Sequence, residues 1–306
     1  REWIAPRVLG VPLVGPEAIP PRLDAGLRGH LMAKAAVEMG VWGLAAQRKE
    51  ISLATLLGGT RPQIATGISI GIQDNPGQLV DKVRRSFEQG YQKAKIKVKP
   101  GADLAYLHAV HEEVGAGAPL MADANSAYST ADFDHLSEFD RFDLMMIEQP
   151  LAWDDLVRHA ALQRRLSTPL CLDESITSVD RVDDMLTLES GRIVNIKSGR
   201  VGGLAAAVSI HDRCATAGVP VWCGGMLESG IGRAYNVALA SLPNFVLPGD
   251  VSPSARYWQQ DIVTPEWTMD ADGLVTVPRD RPGIGVAVDR DRVENLTVRS
   301  ETLTGG

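Results

Sequence analysis

The chain has 306 residues, 44% of them apolar, enough to bury a large core as one barrel or as two mid-sized domains. Its 31 Lys and Arg against 38 Asp and Glu leave a net charge of −7 with both signs interspersed, which argues against nucleic acid as a partner. No apolar run approaches the ~20 residues that span a bilayer, and Cys171, Cys214 and Cys223 lack CxxC spacing, which implies a reducing, cytoplasmic setting without structural zinc.

The chain opens on Arg1 rather than Met and is read as beginning after its natural start, so targeting signals are only partly represented. Residues 21–48 are expected to form one long helix behind a Pro-rich lead-in. From there short apolar runs recur: ATGISIGI (65–72), AKIKV (94–98), PLMAD (119–123), LMMIE (144–148), PLCLD (169–173), IVNIK (193–197), VPVWC (219–223) and FVLPGD (245–250). From the second run to the seventh, their ends lie about 25 residues apart. Helical stretches fall between them, with Leu79, Val80, Val83 and Phe87 making one stripe and Leu104, Leu107 and Val110 another. Further helices are expected at 132–139, 155–166, 179–188, 204–218 and 233–242.

Eight apolar strands alternating with helices predict an α/β fold, a (β/α)8 TIM-type barrel. An open doubly wound sheet is the alternative, but GISIGIQD lacks the GxGxxG spacing of a dinucleotide-binding turn. The expected organisation is a partial, helical capping domain at 1–60, the catalytic barrel at 61–250 and a C-terminal segment at 251–306 returning to the cap. The cap is thus an α+β unit formed from both chain ends.

In such barrels the active site gathers where strands end. Five consecutive strands here end in Lys95 and Lys97, Asp123, Glu148, Asp173 and Lys197. One charged strand end is usually a solvated residue; five in succession, acids flanked by lysines, are hard to reach by chance. Three converging carboxylates repel unless a cation lies between them, and all-oxygen ligation suits Mg2+, with Mn2+ as a second choice. Lysines on both sides of that cation are expected to have lowered pKa values and to act as general bases, taking a proton α to a carboxylate while the metal stabilises the enediolate. None of the six histidines, His30, His108, His111, His135, His159 and His211, falls at a strand end, and all are read as packing or surface residues.

The KAKIKVK run at 93–99 alternates strictly, so its lysines are expected to face the barrel interior and Ala94, Ile96 and Val98 the helices. Lys97 is read as the base, Lys95 as a source of positive field and substrate contact, Lys93 as paired or structural and Lys99 as solvated.

With these residues in place, the sequence resembles the enolase superfamily, whose members use a Lys or His base with Mg2+. The fit is to the muconate-cycloisomerase-like subgroup: Lys95-Ile96-Lys97 stands for its K-x-K, Lys197 in VNIKSGRVGG for its lone lysine, and Asp123, Glu148 and Asp173 for its metal carboxylates. The strings YQKAKIKVKPGAD, ADANSAY, IEQPLAWDDL, PLCLDESI, PVWCGGMLESGIGRA and LPGDVS resemble the branch that forms 2-succinylbenzoate in menaquinone biosynthesis and racemises N-succinylamino acids. The resemblance implies a small carboxylate substrate and a homo-oligomer. It also implies an N-terminal β-rich part of the cap, absent from this chain, that closes over the barrel and selects the substrate.

Arg200 in KSGR is expected to tune Lys197 and, by the resemblance, marks the racemising branch; a surface-paired loop arginine is the alternative. Asn125, Ser69 and Glu174 are candidates for contacts to ligands or substrate. Gly225, Met226 and Leu227 are expected to offer backbone N–H groups to a substrate carboxylate, with Glu228 ambiguous beside them. Alternatives stay open: muconate cycloisomerase, a dipeptide epimerase (weakened because PGDVSPS lacks an Asp-x-Asp), a metal-free Schiff-base aldolase, or a non-catalytic protein whose carboxylates hold a structural cation.

Overall fold

The computed structural model describes residues 1–304. Four α-helices precede the sheet: α1 (Ala5–Val8), α2 (Ile19–Asp24), α3 (Leu31–Arg48) and α4 (Leu53–Leu57). The single helix expected at 21–48 is therefore two helices. Gly26, Gly29 and His30 take positive φ between them, which ends α2 and turns the chain before α3.

The first apolar run also divides. Its first residue, Ala65, ends β1 (Gln63–Ala65), while β2 (Ile68–Ile70) opens the barrel. The remaining barrel elements are α5 (Pro76–Glu88), β3 (Ala94–Lys97), α6 (Leu104–Val114), β4 (Leu120–Asp123), α7 (Phe133–Ser137), β5 (Ile147–Glu148), α8 (Leu156–Gln163) and β6 (Leu170–Leu172). They continue as α9 (Val179–Leu188), β7 (Ile193–Ile196), α10 (Ser198–Val201), α11 (Leu204–Thr216), β8 (Val221–Cys223) and α12 (Gly230–Ala240). Side-chain caps start several helices where the sequence places Asn or Ser: Asn75 opens α5 and Ser178 opens α9.

Strands β2 to β8 form one parallel sheet in sequence order. The eighth expected strand, FVLPGD, is not a strand. Pro248 lacks an N–H and Gly249 favours no single backbone region, so only bridges remain: Phe245 to Val221 on one side, Gly249 to Thr66 on the other. Those bridges close the ring, and the architecture is a (β/α)8 TIM-type barrel with an extended segment in its eighth position.

The C-terminal strands attach outside the ring. They are β9 (Val263–Thr264), β10 (Leu274–Thr276) and β11 (Ala287–Val288), followed by α13 (Arg290–Leu296). β10 pairs antiparallel with β1, β11 pairs with β9, and Gly283 bonds to Ile51 and Leu53 beside α4. No described helix is long and apolar enough to cross a membrane.

Burial follows the period-2 pattern. Ala94, Ile96 and Val98 pack with Leu79, Val83, Leu107 and Val110 of the surrounding helices. The barrel interior is filled by Met121, Met146, Cys171, Ile193 and Trp222, and Lys93 and Lys95 point into it.

Candidate active site

Register builds the mouth of the barrel. Lys97 is the Cα partner of Asp123, and Asp123 is the partner of Glu148, so three strand ends stand level. Asp173 follows β6 directly, and Lys197 occupies the position just before α10, directly after β7. All three carboxylates are buried.

Cations surround them. Lys97 Nζ lies 2.6 Å from Asp123, and it also donates to Asn125 Oδ1. Lys197 Nζ lies 2.7 Å from Asp173 Oδ2, and Arg200 holds the other Asp173 oxygen. β3 and β7 are separated by β4, β5 and β6 on one side and by β8, the bridging segment and β2 on the other. Lys97 and Lys197 therefore face each other across the ring.

Lys95 is deeper. Its side chain is 4% exposed against 29% for Lys97, and its ammonium lies 2.6 Å from Asp250, 3.2 Å from Asp123 and 3.4 Å from Glu148. Burial works against its charge, but Asp250, Glu148 and Asp123 outweigh it and hold its pKa well above the ordinary lysine value. The structure thus places Lys95 as a buried cation just beneath the mouth, paired to three carboxylates. Lys93 lies lower still, fully buried, 3.4 Å from Asp250 and 3.6 Å over the Trp222 ring. Lys99 is exposed.

Burial pushes the Glu148 carboxyl up to about 7, against the pull of Lys95 and with the help of Asp123. Burial would also raise Asp123, but Lys95 and Lys97 outweigh it and its pKa falls below the usual range. Glu148 Oε2 is buried and accepts no hydrogen bond. A hard divalent cation fits this set: three carboxylates at the ends of adjacent strands, with Glu148 Oε2 accepting no hydrogen bond although the Lys95 ammonium lies 3.4 Å away. No three described His, Cys, Asp or Glu side chains already converge on one point, because the carboxylates turn toward Lys95, Lys97, Lys197 and Arg200.

Several supporting residues escaped the sequence reading. Asn195 donates to Glu148 Oε1 at 2.6 Å; it faces inward two residues before Lys197, so the alternation of β7 marked it. Gln149 Oε1 accepts the N–H groups of Asp173 at 3.1 Å and Ser175 at 3.2 Å, fixing the loop that presents Asp173. Asp250 obeys the same strand-end rule as the other acids, at the end of the eighth run. A Cβ at Gly224 would meet both Asn195 and Lys197 Cε, so glycine admits that lysine to the mouth.

The remaining candidates scatter. Asn125 meets three partners, taking Lys97, donating its backbone N–H to Asp123 at 3.1 Å and its amide to Glu174 at 3.1 Å. Ser69 is half-buried on β2, level with Lys95. Gly225 lies against the Asp250 carbonyl. Met226 and Leu227 are exposed, and the Met226 N–H donates to Glu228 Oε1 at 2.9 Å.

Comparison with known proteins accords with this geometry. The family model described as "Enolase C-terminal domain-like" matches residues 78–292. The chain belongs to the enolase superfamily. It is 52% identical to an o-succinylbenzoate synthase of Geobacillus kaustophilus over 97% of this chain and 78% of that protein. It is 46% identical to an N-succinylamino acid racemase of Thermus thermophilus over 97% of this chain and 80% of the relative. A solved enolase-superfamily structure from Listeria innocua superposes with a TM-score of 0.91 at 43% identity, covering 96% of this chain and 78% of the other.

Proposed function

We propose that this protein is a Mg2+-dependent o-succinylbenzoate synthase that also racemises N-succinylamino acids. The observation that carries this reading is the opposition of Lys97 and Lys197 across a ring of buried carboxylates. Relatives at 52% and 46% identity bearing those two names support it.

Asp123, Glu148 and Asp173 would hold the cation, which would neutralise them and stabilise negative charge developing on the substrate carboxylate. A dipeptide epimerase from Enterococcus faecalis, 27% identical to this chain with a TM-score of 0.80, is complexed with Mg and a dipeptide. Lys97, open to the mouth, takes the proton α to the carboxylate. In the dehydration it returns that proton to the departing hydroxide, so proton and hydroxide leave as water, while Lys197 stays an ammonium opposite. In the racemisation one lysine removes the α-proton from its face and the other supplies a proton from its own. Asn195, Gln149 and Asn125 keep the carboxylates oriented, and Arg200 holds Asp173 beside Lys197.

A cavity of about 450 Å3 opens beside Lys197, lined by Met32, Met39, Met226, Ile231 and Tyr235 among others. Its mainly apolar wall suits the body of a succinylated substrate. The test is to assay the protein with Mg2+ on both substrates and on muconate and dipeptides. Turnover of the succinyl substrates is expected; epimerisation of dipeptides alone would overturn the proposal. Borohydride trapping of substrate with activity surviving EDTA would instead favour an aldolase.

A further inference from the structure

The segment that carries Lys197 is tied to a distant helix by one buried carboxylate. Glu38 on α3 is fully buried, and its oxygens accept the N–H groups of Leu204 and Ala205, each at 2.8 Å. Its Oε1 also accepts the Trp42 indole N–H at 2.7 Å. Leu204 and Ala205 form the first turn of α11, where an acidic group satisfies unpaired amides and complements the helix dipole. α11 has no side-chain cap of its own, since Gly203 occupies that position.

The path from Glu38 to Lys197 is short and tightly bonded. Between Lys197 and Leu204 lie only the single turn of α10 and two glycines, Gly202 and Gly203, with φ of 96° and 133°. The Lys197 carbonyl accepts Arg200 N–H at 2.9 Å, and Ser198 O accepts Gly203 N–H at 2.9 Å. A Cβ at Gly203 would run into the Glu38 carboxylate. Lys97 has no such tie: it lies on β3, held by the sheet and by Asp123 and Asn125.

We propose that Glu38 is a positioning residue for Lys197: by capping α11 from another part of the chain, it fixes the turn that aims Lys197, and so governs proton transfer on one substrate face only. The inference rests on the two-lysine reading above.

The test follows α-proton exchange in D2O by NMR, separately for the two enantiomers of an N-succinylamino acid, with Mg2+-loaded enzyme. Lys197→Ala first identifies the enantiomer whose exchange depends on Lys197. Glu38→Gln keeps the shape but sets an amide donor against a backbone donor. It is expected to slow that exchange on the order of tenfold or more while the Lys97-dependent enantiomer stays within roughly twofold. Gly203→Ala, which disturbs the same contact from the other side, is expected to show the same asymmetry and carries the test if Glu38→Gln does not fold. Trp42→Phe removes the indole bond but spares both amide bonds, and is expected to leave the ratio of the two rates unchanged. Equal slowing of both enantiomers, no slowing at all, or an equal asymmetry in Trp42→Phe would overturn the inference and leave the proposed function standing. Wild-type enzyme that exchanged neither enantiomer would overturn the proposed function, and this inference with it.

Discussion

Lys97 and Asp123 are register partners on adjacent parallel strands, and their side chains meet at 2.6 Å. Lys197 meets Asp173 at 2.7 Å on the far side of the ring. Each candidate base is therefore seated on a different carboxylate, the placement that the proposed action on opposite faces of one carbon requires.

Lys97→Ala and Lys197→Ala should each abolish racemisation, by about 10³-fold or more, because either loss leaves one face without a proton carrier. Each variant should still exchange the α-proton of the enantiomer served by the surviving lysine, and each should still bind Mg2+ by calorimetry. Wild-type exchange of both enantiomers by Lys97→Ala would remove that residue from the mechanism.

Much of this site was legible because a closed parallel barrel converts sequence period into position. Strand ends about 25 residues apart become neighbours on one rim, and the alternation in KAKIKVK sends its lysines inward. Residues whose roles depend on distant hydrogen bonds were not legible. Gln149 holds Asp173 and Glu38 caps a helix that begins at Leu204, and no local pattern announces such partners. The eighth strand was misread because apolar content alone indicated a strand, whereas Pro248 denies it the ladder.

Metal affinity should rise with pH through neutrality. Burial lifts the Glu148 pKa from its ordinary 4.5 to about 7, so the metal-free folded protein binds a proton that the unfolded chain has released. That group's contribution to stability is full below about 4.5 and is lost as pH climbs through about 7. A divalent cation displaces the proton. Calorimetry in buffers of different ionisation heat should show proton release on Mg2+ binding at pH 6.5 and less of it at pH 8.5. Glu148→Gln should bind Mg2+ weakly at both. Proton release that does not change with pH would contradict this assignment.

Gln149 offers a test of how the third carboxylate is presented. Its Oε1 takes two backbone N–H groups, those of Asp173 and Ser175, in a fully buried setting. Gln149→Met keeps the volume but leaves both donors unpaired, a cost of about 1–3 kcal/mol each. Mg2+ affinity should fall roughly 10- to 100-fold, as for other residues that orient a ligand from behind. Chemical denaturation and Mg2+ titration measure the two effects separately. A variant that lost stability but bound Mg2+ as tightly as wild type would show that Gln149 only braces the loop.

Asp250 should be the most stability-critical acid in the barrel. It is buried between Lys93 and Lys95, at 3.4 and 2.6 Å, with Trp222 covering Lys93. Burial alone would raise its pKa, but the two lysines outweigh it and hold the carboxyl below the usual aspartate range. A depressed acid stabilises the fold above its unfolded pKa, roughly 3.9, and that stabilisation drains away as pH falls through the native value. Asp250→Asn leaves the buried Lys93 ammonium without its ion pair and takes from Lys95 the nearest of its three carboxylates, and should cost about 3–5 kcal/mol at neutral pH, read by chemical denaturation. Its stability should also decline less on acidification than that of wild type. Adding Lys93→Met, which removes the deeper cation and leaves an apolar chain against Trp222, should recover a substantial part of the loss. If the double variant were no more stable than Asp250→Asn, the cost would lie with Lys95 alone, and Lys93 would prove to be held by the Trp222 ring rather than by the acid.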